Sequence, residues 1–419
     1  MLALFLYYAS SKLKPIVLIP GAFRSRLNVT TNVQPKWYCS KSINDELFWI
    51  RLKNFIPPFL DCFLDFLTVS YNETTHELQN KPDVNIYPDD FGGVNGIRGT
   101  GPTIFGKTVP PYYNEIIKSL EKLGYQTRKT LFGAPYDWRF GAAQPDAYFN
   151  SLRSLIENIS KQNDNEKVII IAHSLGTQVT HRLLTEKTTA EWRSKYIDSA
   201  TLIAPSFSGA SMTFTGYWRL NSKYISVFKL NKIRALANSL GTIHIHIPHT
   251  LGYSNTTLFV DRNGINHMGS ELIEILHERE YLSNYDMLIG EQNFKFLRRW
   301  PMSPDVDINI LYNSGIQTAL GLNLSEWKEF GKEIKVPGDG LVGSAVTDWI
   351  CKNWGAPGKR LQCKDVKSSS MKFQHKNLLF TKDSVNIIMN WVREQNGLKM
   401  NQTKSNNEYQ SKNKRKEDL

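Results

Sequence analysis

No run of 18 apolar residues occurs in the 419-residue chain, so no segment has the length of a membrane-crossing helix. The apolar start, Met1 to Ala9, is short and lacks a basic flank, so residues 1–14 read as a weak signal or leader segment. Cysteine is scarce. Cys39, Cys62, Cys351 and Cys363 show no Cys-x-x-Cys spacing, which argues against a zinc site. Two sequence-local pairs suit disulfides of an oxidising compartment, but four cysteines allow three connectivities, and four buried thiols are the alternative. No internal repeat is present. Acidic residues are in deficit, 39 against 51 basic, for a formal net charge of +12. Residues 396–419 hold six basic and three acidic side chains, so about +9 remains on the body. A basic body suits an anionic partner, or is simply a soluble basic surface. No nucleic-acid motif accompanies the charge, so acidic lipid is the expected partner and nucleic acid is not.

What is there reads as one large α/β domain over residues 15–395. Hydrophobic residues make up 41% of the chain, enough for a sizeable core. Pro15 to Pro20 (PIVLIP) is a buried strand ending in a Pro-Gly loop, and Lys167 to Ala172 (KVIIIA) has the continuous apolar character of a central parallel strand. Helical periodicity covers 110–123, 147–160 and 175–187, a further strand covers 197–204, a strand returns at 307–312, and a helix over 384–392 ends the fold. Alternating strands and helices predict a doubly wound, mostly parallel sheet. From about 208 to 300 periodicity is poor, although Phe214, Tyr217, Trp218, Tyr224 and Phe228 make the stretch rich in aromatics; it reads as a lid or cap insertion. Residues 396–419 are polar and read as a disordered basic tail.

Ala172-His173-Ser174-Leu175-Gly176 stands where a buried strand meets a helix, the position of a nucleophile elbow. The turn that lifts the serine hydroxyl clear of the sheet leaves room only for small residues two before and two after it. Ser174 is the candidate nucleophile. In this arrangement the acid and then the histidine follow along the chain. Of the downstream histidines, His375 lies where the last loop returns to the site. Asp339, in Gly338-Asp339-Gly340, is the first candidate for the acid, with Asp348 and Asp365 as rivals. The backbone N–H of Leu175, with that of Ala22 or Phe23 on the loop after Pro20-Gly21, is the candidate oxyanion hole. His244, His246 and His249 are closely spaced but lack a completing cysteine or carboxylate, so neither metal nor other cofactor is expected.

Taken together, these residues resemble the lecithin:cholesterol acyltransferase family, and within it the lysosomal phospholipase A branch. The resemblance runs from about Pro15 to Val392 and is weak over 209–300. It is carried by PIVLIPG at 15–21, by Tyr71-Asn72-Glu73-Thr74, by the signature Gly133-Ala134-Pro135-Tyr136-Asp137-Trp138-Arg139, and by the elbow, Gly338-Asp339-Gly340 and His375 in order. It implies an α/β-hydrolase fold whose acyl-serine passes a phospholipid acyl group to water or to a lipid alcohol such as a sterol or ceramide. A neutral lipase, or a lipid-binding protein on an inactive hydrolase scaffold, is the alternative. It also implies a Cys39–Cys62 disulfide closing a membrane-binding segment over 39–75, with Phe48, Trp49, Leu52, Phe55 and Ile56 as lipid contacts. Residues 47–64, read alone, favour a core helix pair; the resemblance turns them toward a bilayer or lipoprotein surface. A Cys351–Cys363 bridge, if formed, closes a smaller loop than the family's second disulfide. A monomer of the secretory pathway, lysosomal or secreted, is expected. Six Asn-x-Ser/Thr sites fit that route, and Lys416-Glu417-Asp418-Leu419 resembles an endoplasmic reticulum retrieval signal with its acidic pair transposed. Two departures stand out. Ala22 replaces an acidic residue of the lysosomal enzyme, which speaks against an acid-tuned optimum, and Ala204-Pro205-Ser206-Phe207-Ser208-Gly209 lacks the family's tryptophan.

Overall fold

The apolar runs Ile16–Ile19 and Val168–His173 are buried along their whole length and lie side by side in parallel, with Ile19 opposite Ala172. The structure is a computed structural model. It describes residues 12–399 apart from 102, 105–106, 109, 222–229 and 327–330. The central sheet runs in the order Leu361–Asp365, Asp307–Tyr312, Ile197–Ile203, Val168–His173, Ile16–Ile19, Leu131–Gly133, and every pairing in it is parallel. Strand residues alternate between two cores. Val17, Ile19, Val168 and Ile170 pack with Phe149, Leu152 and Ile156 of the helix Asp146–Gln162 and with Val179 and Leu183 of the helix Leu175–Glu186. Ile16, Leu18, Ile169 and Ile171 pack with Ile116, Ile117 and Leu120 of Asn114–Lys122 and with Ile388 and Val392 of Lys382–Gln395. The result is a sheet covered by helices on both faces, as the unbroken apolar strands require.

Both outer boundaries read from composition are displaced by specific contacts. The Lys14 N–H donates to Asn396 Oδ1 at 2.7 Å, the Lys14 side chain pairs with Asp198, and the Asn396 amide donates to the Tyr125 hydroxyl at 3.0 Å. Residues 12–14 are thus joined to the body, and Asn396 is buried in it. Residues 1–11 and 400–419, with the leader, Asn401 and the C-terminal tetrapeptide, lie outside the described residues.

The stretch from 208 to 300 carries regular structure: helices Phe214–Asn221, Leu230–Ser239, Leu272–Glu278 and Asn284–Leu297, and strands Thr257–Val260 and Asn266–Met268. These strands join the hairpin Gly315–Asn323 and Lys332–Asp339 in a second sheet, so the cap draws on residues beyond 300. Phe214, Tyr217, Trp218, Phe259, Leu320 and Leu322 belong to its separate core. Helix Asn284–Leu297 buries one face, but Asp286, Gly290 and Asn293 share that face with Ile289, Phe294 and Leu297, which breaks the apolar stripe that periodicity detects. Tyr224 and Phe228 lie outside the described residues.

Two disulfides form, Cys39–Cys62 and Cys351–Cys363. The first ties the loop before strand Ile43–Trp49 to the opening turn of helix Phe59–Leu67. Within this segment the sequence-predicted lipid contacts divide. Phe48 is 4% exposed, packed on Phe63 and Phe66, and is a core residue. Trp49 is half-buried; its indole N–H donates to the Phe23 carbonyl at 3.0 Å and its ring meets Trp138 edge-on. Leu52, Phe55, Ile56 and Phe59 are 70%, 41%, 58% and 45% exposed. A β-strand points successive side chains to opposite faces, and the turn after it carries its apolar side chains outward, so one dense aromatic segment serves two environments. Among the described residues no helix is long and apolar enough to cross a membrane.

Candidate active site

Strand Val168–His173 ends in a sharp turn that puts Ser174 at φ 56°, ψ −127°, a conformation rare for a side chain other than glycine, from which helix Leu175–Glu186 departs. Gly176 is required here, because a Cβ would stand 2.4 Å from the Pro20 carbonyl oxygen. Gly21 is required for the converse reason. A Cβ there would reach to 2.8 Å from Ser174 Cβ, so only glycine lets the loop after the first strand lie against the nucleophile.

Ser174 Oγ–H donates to His375 Nε2 at 2.8 Å, and His375 Nδ1–H donates to Asp339 Oδ2 at 2.7 Å. Asp339 Oδ1 accepts the N–H groups of Leu341 and Val342 at 3.1 and 2.7 Å. All three side chains are buried. Asp339 arrives at the end of the last strand of the cap sheet, not from a loop directly after Asp307–Tyr312. The rivals are engaged elsewhere. Asp348 accepts from the Tyr312 and Ser344 hydroxyls, and Asp365 accepts from the N–H and hydroxyl of Ser314.

The oxyanion candidates fall on the loop beside Ser174. The Gly21 N–H is committed to the Tyr112 hydroxyl at 2.9 Å, so Ala22 and Phe23 remain the candidate donors to pair with Leu175. Phe23 is held at φ 62° with its ring against Trp138, centroids 4.4 Å apart. Trp49 therefore buttresses this loop through the Phe23 carbonyl, a role its place in an aromatic run did not suggest. The signature residue Arg139 is fully buried, bonded to Asp137 at 2.9 Å, to Asn80, and to the Leu67 carbonyl at 3.4 Å, so it locks the disulfide-closed segment onto the hydrolase body.

Tyr112 and His173 were missed in the sequence. The Tyr112 hydroxyl donates to His173 Nδ1 at 2.5 Å, and His173 Nε2–H donates to the His375 carbonyl at 3.2 Å. The chain Gly21–Tyr112–His173–His375 thus links the oxyanion loop to the histidine loop behind the nucleophile. Burial, with the nearby His375, pushes the His173 pKa well down and keeps its ring neutral. The histidine inside the elbow pentapeptide was the available signal. His244, His246 and His249 do not converge. His246 lines the cavity and donates to the Thr242 carbonyl, His249 bonds the Arg299 carbonyl, and His244 sits among Tyr217 and Phe294; among the described residues no group suited to a metal ion is found.

Over Ser174 opens a cavity of about 440 Å³, lined by the oxyanion loop, His246, Met212 and Thr213 of the cap, and the Asp339 and His375 loops. Its size suits a lipid acyl chain. The arrangement is competent for acyl transfer through a serine ester.

Comparison with known proteins agrees with this chemistry. Residues 45–295 match the lecithin:cholesterol acyltransferase family. Lysosomal phospholipase A and acyltransferase of Bos taurus is 26% identical over 81% of this chain and 83% of its own length. Phosphatidylcholine-sterol acyltransferase of Gallus gallus is 23% identical over 81% of each chain. Among solved structures, a chain of the Tle4-Tli4 complex superposes with a TM-score of 0.52 at 10% identity, covering 92% of this chain and 98% of that one, a likeness of fold alone.

Proposed function

The chain belongs to the lecithin:cholesterol acyltransferase family, and from that premise we propose that Ser174 carries the acyl group of a phospholipid acyltransferase and phospholipase. The carrying observation is the buried Ser174–His375–Asp339 chain at the floor of an acyl-sized cavity. Ser174 Oγ attacks the ester carbonyl while His375 Nε2 takes its proton, and Asp339 holds the imidazole in the tautomer this needs. The N–H groups of Leu175 and of Ala22 or Phe23 receive the oxyanion. His375 returns the proton to the departing lysophospholipid oxygen, leaving acyl-Ser174. Water or a lipid alcohol, deprotonated by the same histidine, then releases a fatty acid or an acylated alcohol. No cofactor takes part in this scheme.

The cap carries the partition between acceptors, because an acyl-serine yields to whichever nucleophile reaches it. Ceramide or a long-chain alcohol added to phospholipid vesicles is expected to give a new acylated product, with free fatty acid falling in step and total phospholipid loss nearly constant. If no lipid alcohol diverts acyl groups from water, the enzyme is a plain phospholipase.

Leu52, Phe55, Ile56 and Phe59 form the lipid-facing patch of a monomer working at a bilayer or lipoprotein surface, and the basic body favours anionic lipid. The double variant Leu52→Ser/Ile56→Ser is expected to weaken vesicle binding about tenfold, from the apolar area lost. The ratio of vesicle turnover to turnover of a short soluble ester should fall equally. Trp49→Ser, by loosening the oxyanion loop, should lower both rates together; if Trp49→Ser affects vesicles alone, the division of this segment is wrong. The two disulfides support a route through the oxidising secretory pathway.

A further inference from the structure

Three charged side chains line the catalytic cavity besides the histidines: Arg24, Asp339 and Lys376. Both Asp339 oxygens are occupied, by His375 on one side and by two backbone N–H groups on the other, and the carboxylate is 4% exposed. Its charge is spent inside the triad. Arg24 is half-buried on the oxyanion loop with its guanidinium over the Tyr112 ring, 5.3 Å from the centroid. Lys376 follows His375 directly and is exposed. Among the described residues neither cation makes an ion pair. The cavity mouth therefore carries two uncompensated positive charges on the two loops that frame the nucleophile. Cavity walls of low dielectric focus such a field instead of screening it.

An acyl chain needs neither charge. A phosphodiester needs both a charge and a donor array, and a guanidinium fork meets phosphate oxygens bidentately while a lysine adds a point charge. In a glycerophospholipid the phosphate stands only a few bonds from the scissile ester. A phosphate held by Arg24, two residues from Ala22, thus lies within reach while the ester carbonyl faces the Ala22 or Phe23 N–H. Two cations against one phosphate leave positive charge over, which repels a choline or ethanolamine ammonium.

We propose that Arg24 and Lys376 form a phosphate subsite at the mouth of the cavity and select glycerophospholipids whose head groups carry net negative charge, over zwitterionic ones and over uncharged acylglycerols. The inference rests on the acyl-serine reading above and names the substrate class of that site.

The test uses monomeric substrates, so that surface charge and vesicle docking do not enter: dihexanoylphosphatidylglycerol, dihexanoylphosphatidylcholine and dihexanoylglycerol, each below its micelle concentration. The wild type is expected to favour the phosphatidylglycerol over the phosphatidylcholine in kcat/KM by about tenfold, the worth of one well-placed charge contact. Lys376→Gln, a change at an exposed position, should reduce that preference, and Arg24→Gln/Lys376→Gln should abolish it. Raising ionic strength from about 0.05 to about 0.5 M should compress the wild-type preference and leave the double variant flat. Equal preference in wild type and double variant overturns the subsite. So does an equal loss on phosphatidylglycerol and on dihexanoylglycerol, which would make Arg24 a support of its loop. Calorimetric binding of dihexanoylphosphatidylglycerol to Ser174→Ala protein separates the two readings. If that binding is lost on adding Arg24→Gln/Lys376→Gln, the subsite stands even where turnover does not follow the triad. If Ser174→Ala keeps full turnover, the acyl-serine reading fails instead.

Discussion

Ser174→Ala and His375→Ala are each expected to lower phospholipid turnover by roughly 10⁵-fold or more, and the double variant by little beyond that, because the members of a hydrogen-bonded triad act as a unit. Asp339→Asn should cost about 10³–10⁴-fold: the amide keeps the space but no longer holds the His375 tautomer whose Nε2 accepts the serine proton. Asp348→Asn and Asp365→Asn should each stay within about tenfold of wild type, since their carboxylates serve Tyr312, Ser344 and Ser314 away from the histidine. A fluorophosphonate probe should label wild-type protein and spare Ser174→Ala. Absence of labelling in the wild type would return the chain to a lipid-binding role on an inactive scaffold. A silent Asp339→Asn beside a crippled Asp348→Asn or Asp365→Asn would move the acid.

The second large effect is on stability in acid. Besides the catalytic His375, five histidines are buried among the described residues, and burial keeps them neutral: His173, His181, His244, His246 and His249. Burial holds His181, His246 and His249 down to about 4 and His244 to about 3, and pushes His173 well below its ordinary value. Unfolded, each titrates near 6.5. The unfolded chain therefore binds more protons below that pH, so stability rises with pH through this window and levels off above it. It is complete above about pH 6.5 and is lost progressively as pH falls toward about 4. One such group costs on the order of 3 kcal/mol across the window, and a few together rival the whole stability of a domain. Urea midpoints at pH 7.5 and 7.0 should coincide and then drop steeply between about 6.5 and 5. His244 offers the sharpest check. Neither ring nitrogen has a hydrogen-bond partner among the described residues, and its neighbours are Tyr217 and Phe294. His244→Phe should raise stability at pH 5 by more than at pH 7.5; an equal change at both would remove the histidines as the cause.

Local chemistry made the nucleophile legible. A strand buried on both faces must be apolar throughout, and a turn that crowds its neighbours must place small residues beside the serine, so KVIIIA followed by Ala172-His173-Ser174-Leu175-Gly176 carried both facts within ten residues. Chain order then led to His375 and to Asp339 ahead of its rivals. The cap left little trace, because polar residues such as Asp286 and Asn293 share the buried face of its helix Asn284–Leu297 and its sheet borrows the hairpin 315–339, far along the chain.

What only the tertiary structure decided lies between residues distant in sequence. Phe48 and Leu52 are equally apolar in the sequence, yet one fills the core beside Phe63 and the other faces solvent. Trp49 became a brace because the Phe23 carbonyl, 26 residues earlier, lies within reach of its indole N–H. Tyr112 gained its place because His173, 61 residues on, presents Nδ1 to its hydroxyl. Arg24 and Lys376 meet at one cavity from opposite ends of the chain. A sequence by itself determines which segments must be buried and how tightly the backbone must turn, since both follow from a few adjacent side chains. Which side chains of different segments then share a hydrogen bond, a cavity or a surface depends on how the finished layers pack, and no local pattern records that packing.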